Sequence, residues 1–398
     1  MPDTMQFVSA STTERSVDKA IESLMEQARA QTDSASFDLV MLFLSSHFDP
    51  IAPLISDRLR EALNPRVLIG CTCEGVIGKE RELENRPALA LVAARLPKVD
   101  LVPFVFDRYD WESLEDAARF CELLKAPQDT KLFLLIGDSF SMPTDRVLDA
   151  FNQCYPGIPM VGGMASGGST PGGNTLLLND RAFNAGAVGV ALSGDLQIDV
   201  IVSQGCRPFG PTFTVTQVEG NVISGLNDQP PLAQIDQLIE QLSEKDRELL
   251  RNGLFVGRSI GPAQGSLGRG DFLIRTFMGA DRENGSIVVG DYLRTGETIQ
   301  FHLRDQNTAK EDLEMMLMPQ VFDTPPSGGL LFSCNGRGTR LYDHPDGDIS
   351  TIQSVLGGVN IAGFFCAGEI GPIGSKNFLH GHTASMALFR PQSGNPND

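Results

Sequence analysis

The chain has 398 residues, 41% hydrophobic and 21% charged, which describes an ordinary globular protein long enough for two domains. Its net charge of −18 excludes nucleic acid and anionic membrane surfaces as partners, since both demand clustered Lys and Arg. A small molecule or another protein remains.

No apolar stretch reaches the roughly 18 residues of a membrane span, and the N-terminus has neither the basic nor the apolar region of a signal peptide. Seven cysteines without C-x-x-C spacing lie mostly in apolar runs, predicting reduced, buried thiols and a cytoplasmic protein.

In residues 16–30, Val17, Ala20, Ile21, Leu24, Met25 and Ala28 share one face, predicting an amphipathic helix capped by Thr13 or Ser16. A repeated unit follows. Its first copy has a buried strand at Leu39–Leu44, a helix at Pro50–Leu63, a strand at Val67–Gly70, the turn GCTCEGVIG and a closing strand at Ala88–Leu96. The second runs through Leu132–Ile136, GDSFSMPTD, a helix at Val147–Cys154, IPMVGGMASGG and Ala187–Ser193. The third has Leu330–Ser333, CNGRGTRLYDHPDGD, a helix at Ile349–Leu356, VNIAGFFCAGEIG and His382–Phe389. The turns align as G-x-x-x-x-G at Gly70–Gly75, Gly162–Gly167 and Gly363–Gly368. A degenerate fourth copy is expected around Leu254–Gly257 and GRSIGPAQG.

Between the second and third copies the pattern changes. Thr212–Ile223 reads as a hairpin turning at Glu219-Gly220-Asn221. Pro231–Leu242 and Ser243–Leu250 read as helices, the second with a Ser243/Asp246 capping box and a stop at Gly253. Phe272–Met278, Ser286–Val289 and Thr298–Leu303 read as an antiparallel meander, and Thr308–Met318 as a helix. The expected fold is α/β with α+β mixing: two domains, 36–230 and 231–390, built from repeated strand–helix–strand–Gly-turn–strand units in mixed sheets. A helix within 1–35 precedes them, and a disordered tail, 391–398, follows.

The pieces GCTCEGVIG, VGGMASGG, VGVALSGDL, SQGCRPFGPTFTVTQVEGN, GETIQFHLRD, LLFSCNGRGTRLY and AGFFCAGEIGPIGSKNFLHGHTAS resemble, in that order, the FIST domain proteins (F-box and intracellular signal transduction), across both their N and C parts. The resemblance implies a sensory module for small ligands such as amino acids. It also implies haem-binding, nitric-oxide-reporting relatives that signal to a histidine kinase. Output is then expected through a separate signalling partner.

The glycine turns are not nucleotide loops: Val76-Ile77, Gly168-Ser169 and Glu369-Ile370 stand where a phosphate loop needs Lys-Ser/Thr. Gathered at strand ends, they would instead line a cleft. Arg337, in CNGRG, would hold a ligand carboxylate or else pair with Asp343 or Glu369; Glu369 or Asp138 would hold an amine. Ser139, Ser166, Asn335, Lys376, Asn377 and His380 complete the expected site. Cys334 is a nucleophile in an enzymatic alternative, although G-x-S-x-G is missing and a buried thiol is the simpler reading. His380 and His382, two apart on a strand, would face one side and offer an imidazole to haem iron. Cys71 and Cys73 form only C-x-C, and no metal site is expected.

Overall fold

A computed structural model describes residues 4–34, 36–107, 110–260 and 270–392. The chain divides into two compact units: Met1–Val202 with Leu313–Leu379 and Thr383–Asp398, and Ser203–Asp312 with His380–His382.

The first repeat consists of Gln6–Thr12 (β1), Val17–Arg29 (α1), Leu39–Ser45 (β2), Ala52–Leu63 (α2), Val67–Cys73 (β3), a hairpin of Val76–Ile77 (β4) and Glu82–Leu83 (β5), and Leu89–Arg95 (β6). The second has the same order: Val99–Phe106 (β7), Ala117–Leu124 (α3), Thr130–Asp138 (β8), Thr144–Cys154 (α4), Met160–Ala165 (β9), Leu176–Leu178 (β10), Arg181–Phe183 (β11) and Ala187–Gly194 (β12). The third opens with Leu196–Gln204 (β13) and is then interrupted by the second unit. That unit comprises Cys206–Glu219 (β14), Val222–Leu226 (β15), Pro231–Gln241 (α5), Glu244–Leu249 (α6), Leu254–Ser259 (β16), Phe272–Asp281 (β17), Ser286–Val289 (β18) and Thr298–Arg304 (β19). The third repeat resumes with Gln306–Leu317 (α7), Gly328–Cys334 (β20), Gly347–Leu356 (α8), Ile361–Cys366 (β21), Glu369–Ile373 (β22), Lys376–His380 (β23) and Thr383–Pro391 (β24).

Each repeat centres on two parallel strands with an antiparallel return strand beside them: β6-β2-β3, β12-β8-β9 and β24-β20-β21. The opening strand covers one edge. The other edge is covered by a hairpin from a different repeat. β10 of the second repeat pairs with β3 of the first, β22 of the third with β9 of the second, and β4 of the first with β21 of the third. The exchange is cyclic, so all three edges that would otherwise expose unpaired backbone are closed.

These strands are apolar throughout because both faces are buried. Residues from all three sheets, including Phe43, Cys71, Leu134, Val161, Phe332 and Phe364, meet in one shared core. The outer faces lie under the helices, α1 and α2 on the first sheet and α4 on the second. Register is identical in each repeat: Leu42 lies opposite Gly70, Leu135 opposite Gly162 and Leu331 opposite Gly363. A Cβ at these glycines would stand 1.9, 1.8 and 1.6 Å from the facing Leu42, Leu135 and Leu331 carbonyl oxygens. The first glycine of each motif therefore admits a backbone too close for any side chain.

The second unit is a closed barrel in the order β14-β15-β18-β17-β16-β19. Phe213, Val215, Ile223, Val256 and Phe301 fill it, and Ile235 of α5 packs on the same core. The hairpin at Gly220 (φ 62°) and the Ser243 cap, whose hydroxyl accepts the Asp246 N–H at 3.1 Å, are as expected.

Several expectations are corrected. Residues 1–35 are not merely a helix before the repeats, because β1 and α1 are the opening strand and helix of the first. The compact units part at 202/203 and 312/313, a division separate from the expected domains 36–230 and 231–390. Phe272–Met278, Ser286–Val289 and Thr298–Leu303 do not form a simple meander, because β19 pairs with β14 and β16 rather than β18. β16 and β17 are antiparallel barrel neighbours, so Leu254–Gly257 starts no fourth repeat; most of GRSIGPAQG lies outside the described residues, as does most of the tail. The seven thiols are not all reduced, since Cys121 and Cys154 form a disulfide joining α3 to α4. Cys71, Cys73, Cys206, Cys334 and Cys366 are outside the disulfide and buried.

Candidate ligand-binding site

The three parallel strand pairs end at equivalent register positions: Ser45 opposite Cys73, Asp138 opposite Ala165, and Cys334 opposite Cys366. Glu74, Ser166 and Ala367 follow at the three turns. The Ser166 hydroxyl accepts the Glu74 N–H at 2.9 Å and donates to the Phe365 carbonyl, joining all three turns through one side chain. Backbone bonds complete the junction: Phe365 N–H to Gly75 O at 3.0 Å, Met164 N–H to Gly368 O at 2.8 Å and Ala367 N–H to Met164 O at 3.0 Å. The glycine turns thus gather at the carboxyl ends of parallel strands, where open α/β sheets bind ligands.

At this junction a charged pair faces solvent. Arg340 donates to both carboxylate oxygens of Glu74, with Nη1 3.1 Å from Oε2, and to the Asn335 carbonyl at 2.6 Å. The two side chains are 52% and 33% exposed, so the pair is accessible. Glu74 hydrogen bonding holds the Arg340 pKa above its ordinary value. Beside it, Glu84 accepts the Thr339 N–H at 2.9 Å and the Thr339 hydroxyl at 3.0 Å.

Arg337, three residues earlier, turns inward. It is fully buried and forms a two-pronged pair with Asp348 of α8, Nε at 2.8 Å and Nη2 at 2.6 Å. Tyr342 donates to Asp348 at 2.7 Å and Ser333 does so at 2.8 Å. Burial pushes the Asp348 pKa up, but Arg337 and these hydrogen bonds outweigh it and keep the carboxyl below its ordinary value. Arg337 therefore pairs with neither Asp343 nor Glu369, and its chelating edge is occupied inside the protein.

Glu369 is also fully buried. Its Oε2 accepts the Thr383 N–H at 3.1 Å and hydroxyl at 2.8 Å, and the Cys334 side chain hydrogen-bonds to the carboxyl. Burial raises its pKa to about 8. Glu82, under α8, is likewise raised to about 8 by burial, then by Asp348. Cys334 is buried, and its sulfur accepts the Gly336 N–H at 3.4 Å.

The remaining expected residues divide. Asp138 is enclosed, accepting from Ser141 at 2.6 Å and Asn174 at 2.8 Å. Asn377 is committed to structure: its side chain accepts from Met160 N–H at 2.8 Å and donates to the Ile158 carbonyl at 2.9 Å. Lys376 is exposed; burial, then Asp145, raise the nearby Asp149 pKa above its ordinary value, and the Lys376 charge offsets this only in part. Ser139 is exposed, and Asn335 and Ser166 are partly so. His380 is buried at the end of β23. His382 is not on that strand; it sits in the following bend with φ 63°, its ring 4.5 Å from that of Phe255 and Nε2 3.3 Å from Thr276 Oγ1. The two imidazoles are not alternate residues of one strand face, so they do not fit the haem arrangement that spacing suggested. Among the described residues, no group of three or more His, Cys, Asp or Glu is placed to hold a metal.

Sequence models of two domains match the chain: the FIST N domain over residues 38–229 and the FIST C domain over residues 233–372. The chain belongs to the FIST family. FIST domains are associated with signal transduction and small-ligand sensing. An uncharacterised protein of Mycobacterium tuberculosis is 39% identical over 352 residues, 88% of this chain and 90% of that one. An uncharacterised protein of Mycobacterium bovis is 37% identical over 366 residues, 91% of this chain and 93% of its own. A solved chain titled "Cyanuric acid hydrolase: evolutionary innovation by structural concatenation" aligns over 98% of this chain and all of that one at 12% identity, with a TM-score of 0.28.

For this FIST protein, sequence reasoning missed the pairing of Glu74 with Arg340. Glu74 occupies the first copy of the glycine turn and Arg340 ends the CNGRGTR run, so both lay within motifs already singled out. What the pattern lacked was any means of telling which arginine points outward. No helix among the described residues is long and apolar enough to cross a membrane.

Proposed function

We propose that this FIST protein is an intracellular sensor for a small zwitterion of the amino-acid class, bound where Glu74 and Arg340 now pair. The carrying observation is that exposed pair, contributed by the turns of two different repeats at the strand-end junction. An exposed ion pair contributes only about 0–1 kcal/mol, so exchanging each partner for an oppositely charged ligand group costs little. The Arg340 fork suits a carboxylate and Glu74 suits an ammonium. Ser166, which accepts the Glu74 N–H, and Asn335, whose carbonyl accepts from Arg340, adjoin the pair. Ligand insertion separates the first repeat's turn from the third's loop, and this movement is what a separate signalling partner reads. A thermal-shift screen of the amino acids tests the reading. A stabilising ligand whose effect disappears in Arg340→Ala and Glu74→Gln supports it; no shift with any amino acid contradicts it.

A further inference from the structure

The C-terminal half of α7 and the short helical turn after it, Met318–Phe322, are apolar on both sides. Leu313 and Leu317 point inward and are fully buried among Ile349, Ile352 and Leu388. On the outside, Met315 is 55%, Met318 49%, Val321 50% and Phe322 86% exposed. In the 3-10 turn Met318 and Val321, three apart, share one face, and Met315 lies on the last turn of α7 just before it. A helix apolar all round normally has cover on both sides, and clustered exposed hydrophobes mark interaction surfaces.

We infer that Met315–Phe322 is the docking face for an amphipathic helix with basic flanks, carried by another protein. Two observations select this occupant. Glu314 and Asp323 bracket the patch, and Asp323 is exposed, its carboxylate accepting the Thr324 N–H at 2.7 Å and the Gln197 amide at 3.2 Å. The chain as a whole carries −18, so a second copy would bring acid against acid, whereas a basic-rimmed helix finds complementary charge around an apolar centre. Methionine suits the task, because its flexible thioether adapts to the partner's side chains. The inference rests on the sensor reading only in identifying that protein as the signal receiver.

The test uses a fluorescein-labelled, 18-residue helical peptide of Leu and Lys, amphipathic, against a scrambled peptide of equal composition, in anisotropy titrations with the full chain. The amphipathic peptide is expected to bind at least about tenfold tighter than the scrambled one, a difference of about 1.4 kcal/mol. Phe322→Ser and Met318→Ser together are expected to remove that difference. Both side chains are exposed, so melting temperature stays unchanged and any amino-acid binding at Arg340 is retained, separating this inference from the sensor reading. Equal binding of the two peptides, or an unchanged preference in the double variant, would overturn it. So would a concentration-dependent dimer or anionic-vesicle binding lost in the same variant, since each places a different occupant on this face.

Discussion

Arg337 and Asp348 form a fully buried, two-pronged ion pair that joins the loop after β20 to the helix α8. It fixes the CNGRGTR loop from beneath, so that Arg340, one helical turn further on, meets Glu74 at the surface. Breaking a buried pair leaves an uncompensated charge, which costs more than the pair contributes. Arg337→Met is therefore expected to destabilise by about 3–5 kcal/mol in urea unfolding. Combining it with Asp348→Leu should recover most of that loss. A single variant as stable as wild type would contradict the buried-pair account.

Glu369 makes stability depend on pH in a defined direction. Its pKa rises from 4.5 to about 8 on folding, chiefly through burial. Below 4.5 both states hold the proton and the contribution is complete. Between 4.5 and about 8 the unfolded chain releases the proton while the folded chain keeps it, so stability falls as pH rises. The slope is about 1.4 kcal/mol per pH unit for one group. Glu369→Gln should flatten the curve, raising the melting temperature relative to wild type at pH 8 more than at pH 5. Glu82 carries a similar dependence, so Glu82→Gln with Glu369→Gln should flatten it further. Parallel curves for wild type and variants would refute this assignment.

The close approach of Gly363 to Leu331 predicts that Gly363→Ala costs about 3 kcal/mol or more, because a backbone atom has to move. Gly357→Ala is the control. There φ is 77° but nothing lies within 4 Å of the added methyl, so only about 1 kcal/mol of backbone strain is expected. Comparable losses at the two positions, measured by thermal unfolding, would show that the facing carbonyl is not what requires glycine.

Much of this architecture was legible because the inner strands are buried on both faces and hence apolar throughout, as in LVMLFLS and GGLLFSC. The first glycine of each turn was legible for a related reason, since the facing carbonyl leaves no room for a side chain. The opening strands were not legible. β7, VDLVPFVF, alternates exposed and buried positions and contains Pro103, and β4 and β5 are two residues each. The cyclic exchange of hairpins is a non-local pairing, to which local periodicity is blind. At the site, residue types were readable but orientations were not. Arg337 and Arg340 are both arginines in a glycine-flanked loop, and only the position of Asp348 in the first turn of α8 decides which one turns inward. Asn377 and Asp138 read as ligand contacts because their amide and carboxyl groups suit one, yet both are held by neighbouring side chains and backbone.

The central claim is that the arginine available to a ligand is Arg340 and not Arg337. Isothermal titration of an amino acid found by the screen, against wild type, Arg340→Ala and Arg340→Lys, tests it most directly. Arg340→Ala is expected to retain the fold within about 1 kcal/mol, because an exposed pair contributes little, while losing ligand affinity at least about a hundredfold. Lys, which lacks the planar fork, should recover only part of the loss. Unchanged affinity in Arg340→Ala would contradict the account and move the ligand away from the turn junction.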